Sequence, residues 1–459
     1  MHIIQNNILN DGEQSFWQRD LSYKNQLITN CLHQATTNKM ALSRLDKKLQ
    51  SIASSTDYQR IIAKLDSKLS DMFVQVAIHS HEPNIAPLQI RSLKQTSKNP
   101  WSFNYTRWYS DTVYQKEKEY TRAFYQTDGL ISFITNSGMS AFNLALNVIN
   151  SYLEHHQSIP YYIVDSNTYG ECLHLLSQST HRAKVKKINF HQVPQKQLVN
   201  QINNCLPVIL VDCTDVDHAK KALSQLHQLF PRKIILMLDI TRYPDYLMTG
   251  QIKKYLRSSW IIFRFGSLSK YHYAGLGIGR AGVLTMRRAQ CAAIFDPLTS
   301  YSGAKLVTYC RALTGGALEP YQAAMIPSFS LIYIKEKVLA HYRNAYLISR
   351  MLIDNRDKIF LQSYDPSTDS VVNNSVHMQG FCLFVSLKDN NNYHSTVSQI
   401  ITELSEKNIV TEERGSFGFR NTTFDIWADK AVRISDGCEE EPVTKVIAQT
   451  ILQHLLRQT

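Results

Sequence analysis

FRFGSLSKYHYAGLGIGRAG, from Phe263 to Gly282, continues an apolar run that begins at Trp260. Trp260 to Phe265 reads as a buried strand. Two serines, Ser267 and Ser269, then bracket Leu268 just ahead of Lys270. A lysine beyond the end of a buried strand, flanked by hydroxyls and glycines, is placed to hold an aldehyde as a Schiff base. Most lysines are solvated surface charges, so the rest of the chain must show whether Lys270 differs.

Outward from this stretch, apolar strands alternate with helical patterns between about residues 130 and 290. The strand candidates are Ile131–Thr135, Tyr161–Val164, Val208–Val211, Ile234–Leu238, Ile261–Phe265 and Gly282–Leu284. Helical candidates include Ala141–Leu153, Leu173–Ser177 and Ala219–Leu229. Such alternation predicts an α/β domain with a mostly parallel sheet covered on both faces. Ligands of such sheets bind at the carboxyl ends of the strands. There the sequence places Asn136-Ser137-Gly138-Met139, Asp165 with Thr168-Tyr169-Gly170, Asp212 with Thr214 and Asp215, Asp239 with Thr241 and Pro244, and Ser267, Ser269 and Lys270.

Singly, each has an ordinary reading as a helix cap or a turn residue. Together they suit pyridoxal phosphate. Backbone amides of Ser137-Gly138-Met139 at a helix start can bind a phosphate, and Ser267 and Ser269 add hydroxyl donors. Asp239 can pair with a pyridinium nitrogen. Tyr169 offers a face to stack on the ring and a phenol for proton transfer.

This ordered set resembles the cysteine/methionine-metabolism family of fold-type I pyridoxal phosphate enzymes, which includes cystathionine synthases and lyases, methionine gamma-lyase and the sulfhydrylases. Ser137-Gly138-Met139 matches the family's phosphate-binding Ser-Gly-Met, and Tyr169-Gly170 its ring-stacking Tyr-Gly. Asp239-Ile240-Thr241 with Pro244 is similar to its Asp-Asn-Thr-x-x-Pro, and Ser267–Tyr271 to its Ser-x-Thr-Lys-Tyr. Tyr105-Thr106-Arg107 matches a Tyr-x-Arg pair that reaches the cofactor phosphate of the neighbouring subunit; a planar guanidinium can bind two phosphate oxygens. Ala431–Gly437 resembles the segment whose arginine, here Arg433, holds the substrate α-carboxylate, and Ser416-Phe417-Gly418 the Ser-Leu-Gly that assists it.

The resemblance covers roughly residues 100–455. It implies an aspartate aminotransferase-like large domain with a mostly parallel seven-stranded sheet, a smaller α+β C-terminal domain carrying Arg433, and a homodimer or dimer of dimers. The expected domains are a helical arm over 1–98, a cofactor-binding domain over 99–325 and a C-terminal domain over 326–459. Gly315 to Gln322 is expected to cross between the last two. Ser330–Asp354 and the stretches near Ser395–Glu406 and Thr444–Leu456 read as helices, Phe381–Leu387 and Ala431–Ser435 as strands.

The chain also departs from the family. Its Glu-Ser-Pro-x-Asn-Pro appears here as Val211-Asp212-Cys213-Thr214-Asp215-Val216, so Thr214 or Asp215 must stand in for the asparagine near the ring hydroxyl. Small residues after Tyr-Gly become Glu171-Cys172, and the Arg-Gly-Leu-x-Thr-Leu after Gly315-Gly316 becomes Ile326-Pro327-Ser328-Phe329. The stretch from Ser416 to Arg433 is shorter than the family's. These changes point to a divergent lyase or replacement enzyme acting at Cβ or Cγ of an amino acid, in specialised metabolism. An aminotransferase, or a non-catalytic protein retaining the fold, are the alternative readings.

Gly277-Ile278-Gly279-Arg280-Ala281-Gly282 spells a dinucleotide fingerprint, but that motif joins a strand to a helix. Here it runs into the apolar Val283-Leu284, as a glycine-rich turn backing the lysine would. His272 and Cys172 read as structural residues. Over 459 residues the formal charge is +12 with 50 Lys and Arg scattered along the chain. Neither dense basic runs nor RNA-binding aromatic signatures accompany them, so no nucleic-acid partner is expected. Eight cysteines stand apart without zinc spacing, so neither a metal site nor a disulfide framework is expected. The N-terminus lacks a signal-peptide pattern and no run reaches the ~18 apolar residues of a membrane helix. A cytoplasmic protein is expected. Leu42, Leu45, Leu49 and Ile52 form an amphipathic helical stripe in the arm.

Overall fold

A computed structural model describes residues 19–20, 22–23, 26, 110–126, 129–158, 160–179, 184–190, 206–273, 279–296, 301–359, 361–365, 370–373, 375–387, 393–427 and 430–457. The helical stripe at Leu42–Ile52, Tyr105, Arg107, Gly277 and Ile278 lie outside them. The chain forms two compact units. One holds the described residues of Pro83–Ser269 and Gly279–Leu331, and the other those of Met1–Glu82, Lys270–Ile278 and Ile332–Thr459.

The first unit is built on a seven-stranded sheet. Helix α1 (Asp111–Tyr125) leads into β1 (Leu130–Thr135), followed by α2 (Gly138–His155), β2 (Pro160–Asp165), α3 (Gly170–Ser179), β3 (Lys184–Ile188), β4 (Leu206–Asp212), α4 (Val216–Leu229), β5 (Ile235–Asp239), β6 (Ile261–Ser267) and β7 (Gly282–Arg287). Helices α5 (Gly303–Leu313) and α6 (Pro320–Met325) complete it. The strand order is β1-β7-β6-β5-β4-β2-β3. Strands β3, β2, β4, β5 and β6 pair in parallel, while β7 runs antiparallel to both β6 and β1. This is the mostly parallel α/β sheet that the alternating pattern predicts.

The central strands read LPVILVD, ILMLD and IIFRFGS because both faces are covered, and apart from Leu206 and Ser267 all their residues are buried. Helix α2 lays Phe142, Leu146, Ile149 and Leu153 against Phe263, Phe265 and Leu284 of the sheet. Arg264 is the exception within β6. It is buried, and its Nε meets Asp245 Oδ2 at 2.5 Å while Tyr125 donates to the other carboxylate oxygen at 2.8 Å. A buried charge needs such a partner.

Three elements depart from the sequence reading. Strand β3, KVKKI, carries three lysines and no clean alternation; it lies at the sheet's edge, where such a sequence discourages further pairing. Asp111–Tyr125, for which the sequence reading names no element, is a helix whose Tyr120 and Phe124 pack on Phe329, with Phe124 stacked on Tyr246 at 4.3 Å. That packing accounts for Phe329, where the family motif is missing. Gly315–Gln322, expected as a crossing segment, stays in this unit: Asn136 N–H donates to the Gly316 carbonyl at 3.0 Å and Thr135 bridges Ala317.

The second unit opens on α7 (Leu331–Asp354) and contains a hairpin of β8 (Gln362–Asp365) and β9 (Ser370–Asn373). Its five-stranded sheet combines β10 (His377–Gln379), β11 (Cys382–Val385), β12 (Glu412–Glu413), β13 (Thr423–Trp427) and β14 (Ala431–Ser435) in the order β10-β11-β14-β13-β12. Helices α8 (Tyr393–Glu406) and α9 (Glu441–Leu456) bury Val397, Leu404, Ile447 and Ile451 with Leu383, Phe424 and Ile434. This is an α+β arrangement. From the far N-terminus, Tyr23 stacks on Tyr333 of α7 at 4.2 Å, and the Tyr333 hydroxyl donates to Asp20 at 2.9 Å. Among the described residues no helix is long and apolar enough to cross a membrane.

Candidate active site

In the sheet unit the polar strand ends meet at one edge of the fold. Ser137 caps α2, its hydroxyl oxygen accepting from the Ser140 amide at 3.0 Å. That leaves its own proton to give, and the first amides of α2 point beyond the helix end without an acceptor inside the helix. A Cβ on Gly138 would sit 3.0 Å from the Ser267 Cβ, so the start of α2 rests directly on the end of β6. Gly282 makes this approach possible from the other side: a Cβ there would overlap the Ser137 carbonyl and the Gly138 amide. The last glycine of the apparent fingerprint thus opens β7 beneath the α2 start, and no helix follows it.

Thr241 ties the next two elements together. Its hydroxyl accepts from the Ser267 amide at 3.0 Å, and its own amide donates to Asp239 Oδ1 at 2.9 Å. Ser269 instead turns to Ala281, accepting from its amide at 3.1 Å, and so shapes the turn ahead of Lys270. Tyr169 stands just before α3 and is 39% exposed. Met139 meets the Cys172 thiol at 3.7 Å inside the apolar core. Burial, then Asp239, Asp212 and Glu171, push that thiol far up, so Cys172 is an inert core residue at neutral pH.

Asp239 is one of three buried carboxylates in a row. Asp212 is its register partner on β4, and Asp165 ends β2 beyond. Asp165 Oδ2 meets His218 Nε2 at 2.6 Å. Burial draws the His218 imidazole down, but the hydrogen bond and charge of Asp165, with help from Asp212 and Asp215, raise it overall. Asp212 faces Arg242 at 4.0 Å and the Thr214 hydroxyl at 3.5 Å. Burial pushes the Asp212 carboxyl up to about 7; Arg242 and His218 pull it down, while Asp239 and Asp165 add to the rise.

A carboxyl that binds its proton more tightly when folded loses stability as pH climbs from its unfolded value through its folded one. Asp212→Asn should therefore remove part of the fall in stability between about pH 4 and pH 7 and leave the variant more stable than the parent at pH 8. Denaturant midpoints across that range measure it. Asp215, proposed with Thr214 to replace the family's asparagine, caps α4 by accepting from the His218 amide at 2.7 Å.

In the other unit Lys270 Nζ donates to the Ser416 hydroxyl. The ammonium lies 5.0 Å from the Phe417 ring centre, and Phe417 packs on Phe381. Gly418 has φ +79°, a left-handed conformation, and a Cβ there would come within 2.8 Å of the Lys270 Cβ. Ser416-Phe417-Gly418 is thus moulded to the lysine. The Ser416 carbonyl accepts from Thr423 on β13 at 3.2 Å. On the same strand Asp425 lies opposite Arg433 of β14, with Asp425 Oδ2 2.8 Å from Arg433 Nη2. That ion contact is poorly aligned: Arg433 Nε and Nη2 are buried and lack a hydrogen-bond partner among the described residues. A guanidinium edge in that state suits a carboxylate's two oxygens.

His272 is buried, and burial together with the charge of Lys337 draws its imidazole down to about 3. It is neutral at physiological pH and serves as packing. The structure therefore gathers Ser137, Gly138, Met139, Asp239, Thr241, Ser267 and Ser269 around one rim of the sheet unit, and Lys270 and Ser416 with the Asp425–Arg433 strands in the other. Tyr105 and Arg107 lie outside the described residues. Sequence reasoning missed Arg242, His218 and Asp425. Strand register brings Asp425 to Arg433, while His218 reaches Asp165 from α4 and Arg242 reaches Asp212 from the turn after β5; no spacing rule signals these contacts.

No protein-family profile and no curated protein matches the chain. Solved structures do. One is a cystathionine gamma synthase from Xanthomonas oryzae pv. oryzae in complex with cystathionine, at 15% identity and a TM-score of 0.53, covering 79% of this chain and 90% of that one. Another is a protein assigned as an O-acetylhomoserine (thiol)-lyase from Campylobacter jejuni, carrying a pyridoxyl-lysine monophosphate; it has 15% identity, a TM-score of 0.52 and coverage of 76% and 87%. The chain has the fold of these proteins.

Proposed function

We propose that this protein is a pyridoxal phosphate-dependent lyase or replacement enzyme acting at Cβ or Cγ of an amino acid. The observation that carries the reading is the direct seat of the α2 start on the end of β6, with Thr241 linking that seat to Asp239 and Lys270 following one residue after Ser269. The donor set fits the cofactor. A helix N-terminus, the Ser137 hydroxyl and Ser267 suit a phosphate, and Gly138 and Gly282 let the backbones come together there. When bound, pyridoxal phosphate supplies an aldehyde for an amine and a ring that accepts electrons from the substrate's α-carbon.

The chain's own residues do the rest. Lys270 would hold the aldehyde through its amine and would act as the base for the Cα proton. Asp239, held by the Thr241 amide, keeps a ring nitrogen protonated. Arg433 orients the substrate through its α-carboxylate. Tyr169 gives a proton to the leaving group. Ser416 fixes the resting position of the Lys270 ammonium. Tyr105 and Arg107 belong to the reading as ligands for the phosphate in the neighbouring subunit, which makes a homodimer or dimer of dimers part of it.

Purified protein supplied with pyridoxal phosphate should absorb near ~420 nm. Borohydride reduction should then fix the cofactor's mass on the peptide containing Lys270. Incubation with a panel of amino acids, followed by product identification, distinguishes elimination or replacement from transamination. A colourless protein with unlabelled Lys270 would remove the proposal.

A further inference from the structure

Tyr114, Lys118 and Arg122 recur at four-residue steps along α1 and so share one of its faces. Lys305, Thr308 and Arg311 do the same on α5 at three-residue steps. Between the two faces, within the sheet unit, lies a cavity of about 450 Å³, and none of the candidate active-site residues lines it. That volume is in the ~300–1,000 Å³ range of ligand pockets. Its floor is closed: Ser132 and Phe133 of β1 are buried, and the Thr121 hydroxyl donates to Ser132 at 2.8 Å. The Glu117–Arg311 pair marks one end. Arg122 in the last turn of α1 and Lys305 near the start of α5 mark the other, where the Arg288 amide donates to the Gly129 carbonyl at 2.9 Å.

The walls are cationic. Lys118, Arg122, Arg288 and Lys305 line the cavity and are exposed. Among the described residues its one acid is Glu117, which is buried, pairs with Arg311 and accepts from the Ile134 amide at 2.8 Å. Lys118 and Lys305 rest their ammoniums over the rings of Tyr114 and Tyr301, at 4.2 and 4.0 Å. Such contacts at exposed positions are weaker than a charge-assisted hydrogen bond to a phosphate oxygen, so both lysines can turn to an anion.

We propose that this cavity binds a nucleoside polyphosphate, its phosphates among Arg122, Arg288 and Lys305 and its base toward Tyr114. Four exposed cations facing one neutralised acid call for a ligand with several negative charges, and a lone carboxylate would leave most of them unmatched. Two guanidinium forks suit phosphate oxygens. Tyr114 precedes Arg122 by eight helical residues, about 12 Å, which matches the reach of a nucleotide from its base to its last phosphate. Tyr114 is 37% exposed, and Leu130 and Ile131 of the lining are partly exposed beside it. That aromatic and apolar side gives a base a stacking surface and gives inorganic phosphate nothing to use.

Isothermal titration calorimetry of the full chain, with pyridoxal phosphate in excess so that the seat at Ser137 does not compete, tests this with ATP, inorganic tripolyphosphate and adenosine. ATP should bind saturably. Tripolyphosphate, which lacks the base, should bind about tenfold more weakly, and adenosine more weakly still. The double variant R122A/K305A changes two exposed positions and should weaken ATP about tenfold or more. Tyr114→Ala should weaken ATP and leave tripolyphosphate unaffected. Absence of saturable ATP binding would overturn the proposal. Equal affinity for ATP and tripolyphosphate would overturn it too, by showing charge attraction without a place for a base. Unchanged ATP binding by R122A/K305A would place the nucleotide elsewhere and remove this cavity from the account.

Discussion

Lys270→Ala is expected to yield a folded protein without the ~420 nm band and without measurable turnover. The loss should be on the order of 10⁴- to 10⁶-fold, the scale seen when a group forming the covalent link is removed. Two features of the site make the fold survive the change. Lys270 is half-buried and its ammonium donates to the Ser416 hydroxyl, a neutral partner, beside the Phe417 face. Alanine keeps the Cβ against which Gly418 is fitted. Absorbance, circular dichroism and turnover together check the result. A variant that keeps the band would place the aldehyde on another amine, and a variant that keeps turnover would end the assignment of Lys270.

The second large effect concerns Arg433. Removing a buried charged partner from a carboxylate costs about 2–5 kcal/mol, so Arg433→Ala should raise KM for the amino acid roughly thirtyfold to several thousandfold. Arg433→Lys should recover only part of this, because an ammonium has no fork for two oxygens. Asp425 gives the prediction its distinctive form. It faces Arg433 across paired strands and neutralises the guanidinium when no substrate is bound. An incoming carboxylate must compete with it. Asp425→Asn should therefore lower KM while also lowering the melting temperature of the substrate-free protein, since a buried guanidinium is left uncompensated. Added amino acid should restore that stability through mass action. If Asp425→Asn raises KM instead, Asp425 positions the arginine and does not compete for it.

Much of the architecture was legible from one property. Strands such as LPVILVD and ILMLD are continuous apolar runs because helices cover both faces, and buried runs declare themselves without any partner in view. Strand β14 and helix α7 were placed within one residue for the same reason of strong patterning. Strand β3 was invisible, since an edge strand rich in lysine resembles a solvated loop in sequence. Helix α1 was hidden because its buried face mixes Tyr120 and Phe124 with Thr112, Lys116, Glu117 and Thr121, so no apolar stripe marks it.

At the candidate site, local chemistry and long-range contact divide in the same way. By itself the sequence determined that hydroxyls, glycines, an acid and a lysine follow successive buried strands, because which residue follows a strand is a matter of chain order alone. Tertiary structure alone decided that Gly282 makes room for Ser137, that Asp212 and Asp239 lie side by side, that Gly418 is moulded to Lys270 and that Asp425 holds Arg433. Those relations arise between residues far apart in the chain, through sheet register and atomic contact, and no local pattern encodes a register.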